Sequence, residues 1–222
     1  MQNSLRLIMR KTIHNSEGSQ TLELDFTTQV GELQGLLGLQ ASTVLHVIAG
    51  LARPDEGLLM VDNQVWLDTV RGTFLPMRAR NIGCMFPGNT LNNNATVEEN
   101  LRMALIPNAR GNDVWIHKIL EATGLLDSRT HRTAILKRGD RQRLLLAQAL
   151  VCRPTLLLLD DPYSGLNWDL RMRLQDELIH LHEAFQCTSL LGSLDVFEMM
   201  RCSNSMIEIA AKTTSEAFHC KA

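Results

Sequence analysis

The chain has 222 residues, enough for one large or two small domains, and 45% apolar content supports a packed core. A formal net charge of −2 without a basic stripe argues against nucleic acid as a partner. No stretch approaches the roughly 18 apolar residues that cross a bilayer, and Met1-Gln-Asn-Ser-Leu-Arg6 carries no secretory pattern.

In chain order, Thr21 to Phe26 alternates as an early strand, and Gly35-Leu36-Leu37-Gly38 reads as a strand feeding a short loop. Val44 to Leu51 continues as a helix ended by the Arg53-Pro54-Asp55 turn. Leu58 to Trp66 gives short strands about an Asp62-Asn63 turn, and the polar run Asn89 to Asn94 is expected as a surface loop. From Val97 to Leu150 the pattern is mostly helical, with Asn112 to Thr123 an amphipathic piece closed by Gly124. The leucines Leu156 to Leu159 fit a strand buried on both faces of a parallel sheet. A helix follows from Asp169 to Phe185, and Cys187 to Gly192 is expected as the last core strand. The polar tail beyond Lys212 is expected to fray.

Five cysteines, Cys84, Cys152, Cys187, Cys202 and Cys220, form no metal-ligand spacing and read as free thiols in a reducing compartment. His180 and His182 lie beside Glu177 and Glu183. Two residues apart on a helix they do not share a face, so they read as surface residues rather than a metal pair.

The leucine strand ends in Asp160-Asp161-Pro162, two adjacent carboxylates at the edge where open α/β sheets bind ligands. Phosphate-handling folds place a magnesium-associated Asp and a water-activating acid in this way. Alone, the same residues read equally as a strand followed by an Asp-Pro turn. Upstream, Leu136-Lys-Arg-Gly139-Asp140-Arg141-Gln142-Arg143 opens the apolar run Leu144 to Leu150. Together these segments resemble the ATP-binding cassette (ABC) ATPases. There a Leu-Ser-Gly-Gly-Gln signature, Arg-Gln-Arg and a helix precede a Leu-Leu-Leu-Leu-Asp-Glu-Pro strand at this separation. Val47-Ile-Ala-Gly-Leu-Ala-Arg-Pro-Asp-Glu-Gly57 is similar to the segment after the family's phosphate loop. Asn81-Ile-Gly-Cys-Met-Phe86 and Thr96-Val-Glu-Glu-Asn-Leu101 are similar to the segments flanking its Gln loop. Val65-Trp-Leu-Asp68 and Phe74-Leu-Pro-Met-Arg78 most resemble the ATPase subunits of molybdate-type oxyanion importers.

The resemblance implies an α/β, P-loop NTPase-like fold with a parallel or mixed sheet core and a helical subdomain. Residues 1–86 and 151–222 would form the core and 87–150 the subdomain. It implies ATP and Mg²⁺ as cofactors, a second cassette as a dimer partner, and a permease subunit at the inner face of the cell membrane. Phe86 to Leu101 would border the permease groove, with Leu91 and Val97 as contacts unless they only pack the subdomain. Residue by residue, Gly38, Ser42 and Thr43 match the phosphate loop and Gly139 the signature. Ser42 and Asp160 match the magnesium positions, and Asp161 stands where the catalytic Glu belongs.

The chain departs from the family pattern where the chemistry sits. A phosphate loop needs small residues, so that backbone amides wrap the phosphates, and a Lys that reaches them. Here Gly38-Leu39-Gln40-Ala41-Ser42-Thr43 puts Ala41 at the Lys position, and the loop is roughly three residues short of G-x-x-x-x-G-K-[ST]. Pro87 replaces the Gln, which removes both an amide side chain and an N–H. Asp161 is one methylene shorter than Glu, Leu194 replaces the switch His, and Asn167 the Asp of the D-loop. In the signature Ser becomes Lys137, the first Gly becomes Arg138, and Gln becomes Asp140. Charge-stabilising groups contribute about 2–4 kcal/mol each, not additively, so hydrolysis is expected to be absent or very weak.

Two function classes follow: an energy-coupling subunit of an oxyanion importer, and a catalytically dead cassette acting as an interaction or regulatory protein. A chain that keeps the fold and no function is a third reading.

Overall fold

The computed structural model describes residues 3–15, 18–105, 112–210 and 212–213. From the sequence no strand is expected before Thr21. The structure has a long one, β1 (Asn3–Asn15), paired antiparallel with β2 (Gly18–Gln29) through pairs such as Leu7↔Phe26. Leu5, Leu7 and Met9 are buried while Arg6 and Arg10 face solvent, the period-2 pattern of a strand with one wet face. β4 (Glu56–Val61) and β5 (Gln64–Asp68) form a hairpin. Its turn holds Asp62 and Asn63 at φ 46° and 64°. Asp and Asn tolerate this left-handed region, and such turns match the twist of the flanking strands. With the short β6 (Thr73–Phe74) and β11 (Lys212–Thr213), these make a six-stranded sheet ordered β11-β2-β1-β4-β5-β6.

The second sheet is five-stranded and wholly parallel, ordered β10-β3-β9-β8-β7. Its strands are β3 (Leu33–Leu37), β7 (Ile82–Met85), β8 (Leu156–Asp160), β9 (Thr188–Ser193) and β10 (Ser205–Glu208). β9 is therefore not the last core strand. A helix, α6 (Val196–Cys202), returns the chain to β10 beside β3. The four leucines of β8 divide between two cores. Leu156 and Leu158 pack with α1 (Ala41–Ala49) and the antiparallel sheet, and Leu157 and Leu159 with the helices on the other face. Burial of each contributes about 1.5–3 kcal/mol, which is why this strand reads as a continuous apolar run.

Arg80, two residues beyond Phe74 to Arg78, serves as a clamp. Arg80 is 5% exposed and donates to Leu75, Val47 and Ile48 carbonyls at 2.8, 2.9 and 2.5 Å. It lies over the rings of Trp66 and Phe74 at 5.5 and 5.4 Å. Two of those carbonyls belong to the last turn of α1, where the helix leaves acceptors without intrahelical partners. Burial pushes the Arg80 pKa down to about 10, which leaves the guanidinium charged at neutral pH.

Between β7 and β8 the described chain is helical: α2 (Val97–Ala104), α3 (Asn112–Ala122) and α4 (Arg138–Val151). Thr96 and Glu99 form a reciprocal capping box on α2. Leu91 and Val97, expected as permease contacts, are buried in the helical core and only pack the subdomain. α5 (Trp168–Phe185) follows β8. His182, expected at the surface, is buried. Its ring nitrogens bond the Ser189 hydroxyl and the Gly31 carbonyl, both at 3.0 Å. Among the described residues Cys84, Cys187 and Cys202 are free thiols, and Cys152 donates its thiol to the Ala104 carbonyl at 2.9 Å. The tail from 214 and Cys220 lie outside the described residues.

Candidate functional site

The crossovers leaving β3 and β9 run in opposite directions across the parallel sheet, to β7 and to β10. Such a reversal leaves a crevice at the carboxyl ends of the strands. Register places Leu37 beside Ser193, and Asp160 beside Gly192, so β3, β9 and β8 deliver the expected site residues to one edge.

The link from β3 to α1 is Gly38-Leu39-Gln40. Gly38 has φ 136°, and a Cβ there would meet the Ile209 carbonyl at 2.3 Å. Its N–H donates to Ser193 at 3.1 Å, and its carbonyl accepts from Ala41 at 3.0 Å. Gly38 is thus required by the passing β10 segment. Leu39 is 80% exposed. Gln40 is the N-cap, and its Oε1 accepts from the Thr43 hydroxyl at 3.3 Å. Ala41 is buried against β9: a Cβ on Gly192 would sit 3.3 Å from the Ala41 methyl and 3.5 Å from Asp160 Oδ1.

Ser42 donates its hydroxyl proton to Asp160 Oδ1 at 2.7 Å. Asp160 is 4% exposed and its Oδ2 has no partner. Burial raises its pKa, opposed by the Ser42 bond and by His46 and assisted by Asp161. Asp161 is exposed at φ 44°, held there by its N–H on the Gly192 carbonyl at 2.9 Å and by its own carbonyl accepting from Ser164 at 3.2 Å. A non-glycine residue at that φ is uncommon and strained. Asp160 and Ser42 come together, with Asp161 beside them and facing solvent.

The signature segment has other duties. Gly139 is buried, and a Cβ there would meet Leu170 Cδ1 at 2.9 Å, so the glycine permits close packing of α4 on α5. Lys137 is the N-cap of α4 without a side-chain cap bond. Arg138 reaches back to the Ser164 carbonyl at 3.4 Å and lies over Gly165. Arg143 binds Glu177 through two nitrogens at 2.8 and 2.5 Å and Asp140 at 2.7 Å. These partners raise its pKa, with the Glu177 bond the largest cause. Gln142 donates to the Pro162 carbonyl. Asn167 caps α5 by accepting from Leu170 at 3.0 Å.

After β9, Leu194 is 62% exposed. Asp195 caps α6, accepting from Phe197 and Glu198 at 2.9 and 3.2 Å and pairing with Arg171 at 2.9 Å. Glu198 is a residue that the sequence reading passed over. It is 3% exposed with Oε1 unpartnered, and burial first, then Asp161 and Asp195, push its pKa up to about 7, while Arg171 opposes this. The signal was an acid within the apolar run Val196 to Met200.

Phe86, just after β7, borders an open groove of about 550 Å³ also lined by Leu51, Met77, Cys84, Asn92, Met103 and Gln148. Among the described residues no group of three or more His, Cys, Asp or Glu is placed to hold a metal, and no helix is long and apolar enough to cross a membrane.

As a fit for Mg-nucleotide, this edge offers a hydroxyl and a carboxylate with one free oxygen. Mg²⁺ sites of this type complete their octahedron with substrate phosphates. A turn from Gly38 to Gln40 without a cation does not supply the wrap or the charge that a triphosphate requires. The residues present do not fit the group.

Two sheets sandwiching α1, with helices on the far face and paired acids at the parallel edge, define an α/β P-loop NTPase-type cassette. The model for the ABC transporter family matches residues 22–164. A thiamine import ATP-binding protein of Chelativorans sp. (strain BNC1) is 32% identical, over 86% of this chain and 78% of its own length. A molybdenum import ATP-binding protein of Paramagnetospirillum magneticum is 30% identical, over 80% of this chain, which spans 49% of that relative. A bacterial ABC transporter cassette solved as a dimer superposes with a TM-score of 0.71 at 22% identity, over 92% of this chain and 94% of its own. The chain belongs to the ABC transporter family.

Proposed function

We propose that the chain is the cassette subunit of an ABC importer for a molybdate-like oxyanion, with its own ATP hydrolysis lost or very weak. Its partners in this reading are a membrane permease subunit, docked at the inner face of the cell membrane, and a second cassette. Residues 87–150 form the permease-facing helical subdomain, and 1–86 with 151–222 the core. In such a site Asp161 holds the catalytic position, Gly38, Ser42, Thr43 and Gly139 the phosphate positions, and Ser42 with Asp160 the metal.

The observation that carries the lost chemistry is the link Gly38-Leu39-Gln40 into a buried Ala41. It has no lysine and no room for a phosphate to be wrapped, and its glycine answers to Ile209. The oxyanion substrate rests on Val65 to Asp68 and Phe74 to Arg78 and on the molybdenum relative, whereas the thiamine relative is as similar. The open groove beside Phe86, with Met103 exposed in it, supports a docked permease. A non-catalytic interaction or regulatory role is the second reading, favoured by this same pairing of an open groove with a failed nucleotide fit.

Titration calorimetry with Mg-ATP, beside a nucleotide-free thermal melt, tests the reading. A cooperative melt with no binding up to about 1 mM, a ceiling of only ~4 kcal/mol of affinity, supports it. Micromolar binding returns the chain to the active importer ATPases.

A further inference from the structure

α6 packs along α5, and an ion pair closes each end of the seam between them: Arg171 with Asp195 at 2.9 Å, and Asp176 with Arg201 at 2.6 Å. The two helices therefore run in the same direction. Gln175, one turn beyond Arg171, shares the face that meets α6. Between the two ion pairs the seam holds three side chains whose buried polar atoms go unanswered. Arg171 Nε, both amide atoms of Gln175 and Glu198 Oε1 have no hydrogen-bond partner. They are four of the seven such side-chain atoms among the described residues, so the mismatch is concentrated in this one seam. Gln175 is fully buried and Glu198 is 3% exposed.

Buried polar groups in native proteins are paired, and each exception calls for an explanation. Here the donors and the acceptor that would satisfy one another line the same seam and do not meet. The outer face of α6 fits its place no better, since Phe197 and Met200 are 81% and 73% exposed. A short helix with apolar side chains outside and unmet polar atoms inside is seated for one charge state only. We infer that α6 has two seats on α5 and that the proton on Glu198 selects between them. In the first, which the structure shows, Glu198 is neutral and bonds the Ser193 hydroxyl. When the proton leaves, Arg171 Nε and the Gln175 amide close on the carboxylate. α6 then shifts along the seam and carries Leu194 and Asp195 with it, so the carboxyl edge of the sheet responds to pH without any ligand. The groups that face Glu198 are Arg171 from α5, Asp161 after β8, and Ser193 and Asp195 around the start of α6. Tyr163 and Cys202 feel its charge, and β3 brings no ionisable side chain. Burial first, then Asp161, favour the proton and Arg171 opposes it, which sets the exchange near neutral pH.

Amide NMR of the nucleotide-free chain, from about pH 5.5 to about pH 8.5, tests this. The Phe197 and Glu198 amides, which Asp195 caps, should move together with those of Met199 to Cys202, at one midpoint at or just below pH 7. Glu198→Gln should abolish the transition. Gln175→Met keeps the shape and removes only an amide that bonds nothing in the first seat, so its melt should equal or exceed the parent's. Its midpoint should nevertheless rise by about half a pH unit or more, because ionised Glu198 loses a donor. Flat α6 amides across the range overturn the inference. A midpoint that Gln175→Met leaves in place overturns it too, since Glu198 then titrates in a fixed seat.

Discussion

Restoring the absent lysine with Ala41→Lys tests the reading of the nucleotide edge directly. Ala41 is 3% exposed and its methyl faces Gly192 across a gap that a single added carbon would close to 3.3 Å. A lysine there must drive its stem into a packed seam, which costs about 1–3 kcal/mol. It must also bring an ammonium into a dry site, where desolvation costs several kcal/mol unless a partner offsets it. A partner is Asp160, whose Oδ1 lies on the same side of Gly192 and whose Oδ2 is unpartnered. Pairing the two offsets much of the desolvation, so a net loss of about 2 kcal/mol is expected. At roughly 2–4 °C per kcal/mol for a chain of this size, the melt should fall by about 4–8 °C. Hydrolysis should stay at background, because the link into α1 remains too short to wrap a triphosphate whatever its side chains. The assay is phosphate release under saturating Mg-ATP, beside differential scanning calorimetry. Turnover within tenfold of the roughly 10 s⁻¹ typical of enzymes, at an unchanged melt, would show that the loop is aligned wrongly and the edge can still cradle phosphate.

Two further outcomes follow from buried charge. Burial pushes the Glu198 pKa up to about 7 from the 4.5 of a free glutamate, so its protonated form is the one the fold accepts. The associated stability is present in full below about pH 4.5 and is lost as pH rises through 7, a change of about 3 kcal/mol at most. Urea unfolding of Glu198→Gln should therefore show little gain at pH 5 and a clear gain at pH 8; a difference that ignores pH refutes the burial account. Arg80→Ala takes a donor from the Ile48 and Leu75 carbonyls, leaves the Val47 carbonyl only the Gly50 N–H, and opens a gap beside Trp66 and Phe74. It should cost about 2–4 kcal/mol, and Arg80→Lys should recover little because an ammonium lacks the planar fork. A melt unchanged in Arg80→Ala would show that α1 is closed by other contacts.

Where local pattern and tertiary environment agree, the sequence was readable. The leucines of β8 had to be a buried strand, and the Asp62-Asn63 pair had to turn. β1 is written in the alternation of Leu5, Leu7 and Met9 with Arg6 and Arg10, a weaker signal than the long apolar runs. α6 and β10 were not readable, because seven residues of helix and a strand of Ser, Met, Ile and Glu carry too little periodicity. Leu91 and Val97 show the opposite failure: an apolar residue near a groove says nothing of which way it faces until the helices are packed. At the site, the altered residues could be read off one by one. That Ser42 is tied to Asp160, and that Glu198 is buried, depends on segments far apart in the chain meeting at one edge.

The residues that still match the family pattern are those with work to do in the fold. Gly38 must pass under Ile209, Gly139 must let α4 approach Leu170, Gln142 holds the Pro162 carbonyl, and Arg143 joins α4 to Glu177 on α5. Even substituted positions have taken structural tasks, with Asn167 as the cap of α5. The positions that depart furthest, Leu39, Pro87, Lys137 and Leu194, are exposed and brace nothing among the described residues. A chain can therefore retain strong likeness to the ABC cassettes through packing requirements alone, and that likeness measures the scaffold, whereas activity resides in the few surface groups laid upon it. In this chain that edge keeps two acids, Asp160 and Asp161, while the link into α1 carries no cation.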